Sequence, residues 1–377
     1  MDSPHMHGPR WGRIVAHGCS AALLLATLTC ALAQAQYCTP DQCDECNLCG
    51  TCLKCCHEPP ELWVVNTRCA PRCCNLDEGF DKLRFQRYDT QCKRFASESL
   101  ESFLAAEATM PSLFYVHGNH LEHSGAMKSF WQVYQKMRCC PGPKRLVCWS
   151  WPAQRVYRGL RVRKMILDNL RIKVVYAEYQ GYYLAHLLQQ MSFSQRVMIS
   201  GHSFGAIVVS SAAHWMGGGQ LRGLTLAGGT PNEQPNLRLS LISGAFDKDA
   251  LYPGCRYGQA IAAVEKIMVT RNIRDRTLGI WKIVSYRNCS AIGTTGVNAN
   301  RLGQYANKLC QITMTADVRR SHFLEPHLDS ARMMSMLCCL AFPQCQKSTP
   351  VVEETDSTKQ SDRTADNRLA NNAATDS

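Results

Sequence analysis

Eight short apolar runs recur between Leu62 and Val318, and this alternation narrows the possible folds more than any other feature of the chain. "LWVVN", "LRFQRY", "SLFYV", "RLVCWSW", "RVMIS", "LRLSLIS", "KIMVTRN" and "QITMTADV" are each short, β-prone and bounded by turn formers. Helical patterns lie between many of them. "SLESFLAAE" opens on a capping serine, and "MKSFWQVYQKM" forms a crossover between the third and fourth strands. "VVYAEYQGYYLAHLLQQM" spaces Val175, Tyr179, Tyr182 and Tyr183 on one face, with Leu187 on the next turn, and predicts a long amphipathic helix. "SARMMSMLCCL" predicts a closing helix. Strands alternating with helices indicate βαβ units, hence a largely parallel sheet covered on both faces.

The two ends of the chain read differently. Residues 1–35 have the layout of an export signal: Arg10 and Arg13 precede the apolar "AALLLATLTCALA", and small residues around Ala33 and Ala35 offer cleavage sites. That run is shorter than the roughly 18–20 residues that span a bilayer, and no later segment is apolar enough to form a stable membrane span. Cys30 follows Thr29 and Thr27, a poor context for lipid attachment, so simple cleavage is expected. Export to the extracellular space, the cell surface or the periplasm turns cysteines toward disulfides. Loss of Cys19 and Cys30 with the signal leaves twenty, an even number, and ten of these lie between Cys38 and Cys74. The cysteine-rich segment, residues 36–60, has too few apolar side chains for a core and needs cross-links to be ordered. A disulfide knot is favoured. Zinc on Cys52, Cys55, Cys69 and Cys73 is the alternative, set back by the excess of thiols over what one tetrahedral ion takes. The polar tail, residues 346–377, has the composition of a disordered segment. The formal charge of +12 is spread singly and in short pairs, which argues for a solvated basic surface and against nucleic-acid binding.

One motif carries chemistry. Gly201-His202-Ser203-Phe204-Gly205 is fed by the strand "VMIS" and leaves through "AIVVSSAAHWM", which stops at Gly217-Gly218-Gly219. A serine on a sharp strand-to-helix turn needs flanking glycines, and the helix N-terminus beside it favours negative charge. Its hydroxyl is a weak nucleophile unless a histidine takes the proton and a carboxylate orients that histidine; on such turns the acid and then the histidine follow in the chain. His214 is about 16 Å along the helix that the serine starts, out of reach. His322 follows the last strand after a short loop and is preferred over His327, which lies beyond Pro326 and near the final helix. For the acid, Glu233, Asp247, Asp249, Glu265, Asp275 and Asp317 are available. Glu265 precedes its strand, and Asp317 ends the strand that leads to the histidine. Asp275 is favoured because it closely follows "KIMVTRN", and Asp247, after "LISGAF", is next.

A developing oxyanion needs backbone N–H donors. Phe204, after the nucleophile, supplies one; the loop in "FYVHGNH" supplies the other at Asn119, with Gly118 allowing close backbone approach. Gly118 and His202 are candidate binding positions beside the serine. His117, His120 and His123 form a possible metal cluster, but no carboxylate-rich segment accompanies them, and no metal is assigned.

"YVHGNH", "WSWP", "YQGYYLA", "GHSFGA", Asp275 and His322 together resemble the α/β-hydrolase superfamily, and within it a group of uncharacterised bacterial predicted hydrolases. The resemblance covers residues 61–345. It implies a mostly parallel, eight-strand-type sheet flanked by helices, an acyl-enzyme at Ser203 and no cofactor. The expectation is therefore a secreted serine hydrolase acting on a small-molecule or lipid-like carboxylic ester. A non-catalytic cell-surface binding or structural protein, and a peptidase or thioesterase with the same triad, are the alternatives. Acyl length, leaving group and oligomeric state are open at this point.

Overall fold

Leu62, Trp63, Val64 and Val65 are all buried, which a strand achieves only where both faces of its sheet are covered. The computed structural model describes residues 59–72, 76–105, 110–140, 142–155, 163–227 and 235–342. The expected signal, nearly all of the cysteine-rich segment and the polar tail lie outside the described residues.

The sheet has nine strands: β1 (Glu61–Asn66), β2 (Arg84–Asp89), β3 (Arg94–Glu98), β4 (Ser112–Val116), β5 (Arg145–Ser150), β6 (Arg196–His202), β7 (Asn236–Ile242), β8 (Lys266–Arg271) and β9 (Leu309–Thr313). Their spatial order is β3-β2-β1-β5-β4-β6-β7-β8-β9. The seven strands from β1 to β9 in that order pair in parallel, whereas β2 and β3 add an antiparallel edge. The helix-flanked, mostly parallel sheet is thus as expected, with one strand more than the eight anticipated. β3 escaped the sequence reading because "RFASE" is half polar, with no fully buried position.

Four longer helices cover the faces: α1 (His123–Met137), α2 (Arg163–Leu188), α3 (Gly205–Met216) and α4 (Ala331–Ala341). Alternate strand residues separate two cores. Trp63, Phe114 and Trp149 point to the side of α2 and α3, while Leu62, Leu113 and Cys148 point to that of α1 and α4. The face of α2 differs from the reading of its sequence. Tyr183 and Leu187 are buried as read, but Val175, Tyr179 and Tyr182 are only half-buried, and Ala177, Gly181, Leu184, Ala185 and Leu188 complete the buried face. Small residues bring the two helices together: a side chain at Gly181 would strike Ser211 Oγ, at 2.0 Å. The expected last strand also splits: Thr315–Val318 forms a helical turn after β9.

Among the described residues one disulfide is present, Cys140–Cys338, tying the end of α1 to α4. Cys69 is exposed, and Cys52, Cys55 and Cys73 lie outside the described residues. No helix among those described is long and apolar enough to cross a membrane.

Candidate active site

Parallel strands place their C-terminal ends along one edge of the sheet, and the candidate residues meet there. β6 runs directly into Ser203, whose φ of +55° puts a non-glycine residue in the left-handed region. Both motif glycines are sterically required by this bend. A Cβ at Gly201 would lie 2.3 Å from Gly205 O, and one at Gly205 would lie 2.2 Å from Val116 O. Neither obstacle is a side chain that could rotate away. Gly205→Ala is therefore expected to cost about 3 kcal/mol, read as a fall in the urea midpoint at unchanged slope.

His322 Nε2 lies 2.8 Å from Ser203 Oγ, and His322 Nδ1 lies 2.7 Å from Asp275 Oδ2. The second Asp275 oxygen accepts from Leu278 N at 3.0 Å, capping the helical turn Arg276–Gly279. Asp275 is thus held at both oxygens and fully enclosed, while His322 remains partly open to solvent.

The other acids are engaged elsewhere. Asp247 accepts from Trp281 Nε1 at 2.8 Å, Asp249 pairs with Arg287, Glu265 with Arg238 and Asp317 with Arg332. Glu233 lies outside the described residues. His327 is in the short helix Leu324–Leu328 and not at the final helix; its Nε2 meets Ser243 Oγ at 2.9 Å.

Gly118 crosses directly over the serine. A Cβ there would sit 3.3 Å from Ser203 Cβ, so the backbone of the 117–121 loop runs against Ser203. Asn119, Ser203, Phe204 and His322 line one cavity of about 560 Å³. Its apolar lining includes Ile166, Leu170, Leu278, Ile280, Trp281 and Val284, and its polar lining includes Lys128, Gln132 and Glu325. Phe204 packs edge-on against Trp281, with ring centroids 5.9 Å apart.

The three histidines of "HGNHLEH" face separate partners. His117 Nδ1–H donates to Gly118 O, and its Nε2 accepts from Trp151 N at 3.2 Å. His120 Nε2 accepts from Asn169 Nδ2, and His123 Nδ1 meets Ser150 Oγ.

Several positioning contacts have no local signature in the sequence. His202 Nε2–H donates to His322 O at 2.9 Å, so the residue before the serine holds the main chain of the histidine that the serine meets. Arg68 Nη2 donates to Leu121 O, and its Nε donates to Ser150 Oγ, which buttresses the 117–121 loop from β1 and β5. These contacts join residues far apart in the chain, and only the helix N-terminal to Val174 carried an apolar spacing that could have flagged Ile166 and Leu170.

No family model and no curated protein matches the chain. Among solved structures it is similar to two inhibited forms of esterase B from Lactobacillus rhamnosis, each 12% identical with a TM-score of 0.36. These matches cover 86% and 87% of this chain and 98% of that protein in both cases. It is also similar to Zea mays acyl-protein thioesterase 2, 13% identical with a TM-score of 0.35, over 62% of this chain and 93% of the other.

Burial disfavours the charged form of five imidazoles, those of His117, His123, His202, His214 and His327. It pushes His117 down to about 3, with the Gly118 carbonyl opposing and Arg68 adding. It also holds His202 well below the ordinary value, helped by His322 and His327, and lowers His327. The folded chain therefore resists protonation where the unfolded chain, with histidines near 6.5, takes up protons. More protons on the unfolded state means stability rises with pH. The stabilisation is fully present above about pH 6.5 and is lost as pH falls from there toward 3. The urea midpoint is expected to be lower at pH 5 than at pH 7.5, by a few kcal/mol of unfolding free energy. An equal midpoint at both would show that these rings are protonated in the fold.

Proposed function

We propose that the chain is an exported serine hydrolase that cleaves carboxylic esters through an acyl-Ser203 intermediate. The observation that carries this reading is the continuous hydrogen-bonded line from Ser203 Oγ through the His322 ring to Asp275. His322 Nε2 takes the hydroxyl proton as Oγ attacks the ester carbonyl, and Asp275 holds the Nδ1 proton and steadies the imidazolium. The backbone N–H groups of Phe204 and Asn119 face the negative oxygen of the tetrahedral intermediate, and the N-terminus of α3 adds its field. Collapse expels the alkoxide, which His322 protonates. Water then gives a proton to His322 as its oxygen attacks the acyl carbon; the bond from that carbon to Oγ breaks, His322 returns the proton to Ser203 Oγ, and the acid is released with the resting serine restored.

The mainly apolar lining beside Ser203 supports an ester whose acyl group is a hydrocarbon chain rather than a peptide or a sugar. The domain limits follow the same reading: signal 1–35, cysteine-rich segment 36–60, hydrolase domain 61–345 and tail 346–377. A fluorophosphonate probe tests the proposal, since it phosphonylates only an activated serine and loses fluoride. Labelling is expected at Ser203, mapped by peptide mass spectrometry. An unlabelled protein, or a label on another residue, would remove the assignment.

A further inference from the structure

Seven large apolar side chains are exposed among the described residues, and six of them, Ile166, Ile273, Ile280, Ile283, Tyr286 and Phe323, lie on segments that line or adjoin the Ser203 cavity. Scattered single exposed apolar residues need no explanation, but a contiguous set does. Ile166, Ile280 and Phe323 line the cavity that holds Ser203. Ile273 follows β8 at the same edge of the sheet, with its N–H bonded to Thr315 Oγ1. Ile283 and Tyr286 sit on and just beyond the helical turn Trp281–Val284, where Arg171 bonds the Ile283 carbonyl and stacks on the Tyr286 ring. The seventh, Phe193, lies just before β6, at the opposite end of the strand from Ser203.

The segment 273–288 explains why these side chains point outward. Asp275, Leu278, Trp281 and Val284 are buried at every third position. Between them, Ile273, Arg274, Arg276, Ile280, Lys282, Ile283, Tyr286 and Arg287 face solvent. The exposed half is thus apolar and basic together. Asp275 is the sole acidic residue from Lys266 to Ala316, and it is buried against His322. Arg287 is matched by Asp249, whereas Arg274, Arg276 and Lys282 are in no ion pair among the described residues. Arg319 and Arg320 add two more exposed cations three and two residues before His322, against Glu325 in the short helix that follows it.

Isoleucines and exposed aromatic rings interleaved with cations are the composition of a surface that enters a lipid headgroup layer: the apolar groups leave water, and the basic groups meet anionic headgroups. We propose that this collar docks the mouth of the Ser203 cavity onto an anionic lipid surface. The partner is a bilayer or micelle bearing negative headgroups, and docking presents an acyl chain to the cavity without passage through water. The identity of that chain as an ester substrate rests on the hydrolase reading above; the docking itself does not, because it needs no turnover.

The test is partition of the purified protein onto sedimenting vesicles. Pure phosphatidylcholine is compared with phosphatidylcholine containing about 30% phosphatidylglycerol. Wild type is expected to bind the anionic vesicles at least tenfold more strongly than the neutral ones, and to lose most of that preference in about 0.5 M salt. A variant carrying Lys282→Gln, Ile283→Ser and Tyr286→Ser, none of which lines the Ser203 cavity, is expected to bind at least tenfold more weakly. It should hydrolyse soluble p-nitrophenyl butyrate at the wild-type rate. Phe193→Ser serves as the off-face control and should bind like wild type. Every variant keeps the same termini, so any lipid affinity of the N-terminal apolar run is common to all. Equal binding by the triple variant, an equal loss in Phe193→Ser, or no preference for anionic over neutral vesicles would overturn the proposal. Ser203→Ala is expected to partition like wild type, which separates a failure of docking from a failure of the hydrolase assignment.

Discussion

Ser203→Ala is expected to lower kcat for p-nitrophenyl butyrate by about 10⁵-fold while leaving the folded state intact. The methyl group fits where the hydroxymethyl group stood, so packing is unchanged and the left-handed backbone is no worse for alanine than for serine. What disappears is the atom that forms the acyl bond in the proposed mechanism. His322 then has only water to activate, and the remaining rate is what the backbone donors and the cavity supply by binding. The measurement is kcat by single-turnover and steady-state kinetics beside the urea midpoint of the same preparation. A variant with the wild-type rate would mean that the serine, however strained its turn, does no chemistry.

A comparison of Asp275→Asn with Asp247→Asn has the second-largest predicted effect, and it decides between two residues that the sequence ranks close together. Asp275→Asn preserves size and can still cap the Arg276–Gly279 turn through its amide oxygen. It places an N–H₂ group where a carboxylate accepted from His322 Nδ1. The imidazole then turns to the tautomer that carries its proton on Nε2, facing the Ser203 hydroxyl, and can no longer accept. A fall of about 10⁴-fold in kcat with little change in stability is expected. Asp247→Asn keeps an oxygen for Trp281 Nε1 and should leave kcat within about twofold. If Asp247→Asn lost as much as Asp275→Asn, the orienting acid would be misassigned.

The serine was legible because its requirement is local: a strand, two glycines, a bend and a helix all lie within residues 197–216. Both glycines answer contacts that any such bend produces, with Gly205 O and Val116 O. His322 and Asp275 have no such local requirement, and the sequence offers them only as the best-placed of several histidines and acids after Ser203. Nothing in either segment marks its partner, since the two are 47 residues apart, and His322 is 119 residues from Ser203. Asp247 and Asp275 each follow a buried strand closely. They differ in what their loops do next: the one after β7 carries Asp247 to Ala291 and Trp281, while the one after β8 folds back as a capped turn beneath His322.

Two elements were misread for the same kind of reason. β3 has alternation too weak to register, and its pairing with β2 supplies the order that its own composition lacks. On α2 the aromatic stripe drew attention from Ala177, Gly181 and Ala185, small residues whose value lies in letting α3 approach. Side-chain size read alone scores such positions as weak; the tightness of the contact they permit belongs to the pair of helices.

The sequence by itself determined the alternation of strand and helix, the covered parallel sheet and the strained turn at Ser203, because each depends on residues close together along the chain. Tertiary structure alone decided which carboxylate meets His322, how His202 and Arg68 hold the neighbouring main chain, and that exposed Ile166, Ile280 and Phe323, distant in the chain, line one cavity with Ser203. These depend on the directions in which separate loops leave one sheet edge, and hydrophobic periodicity holds no record of that.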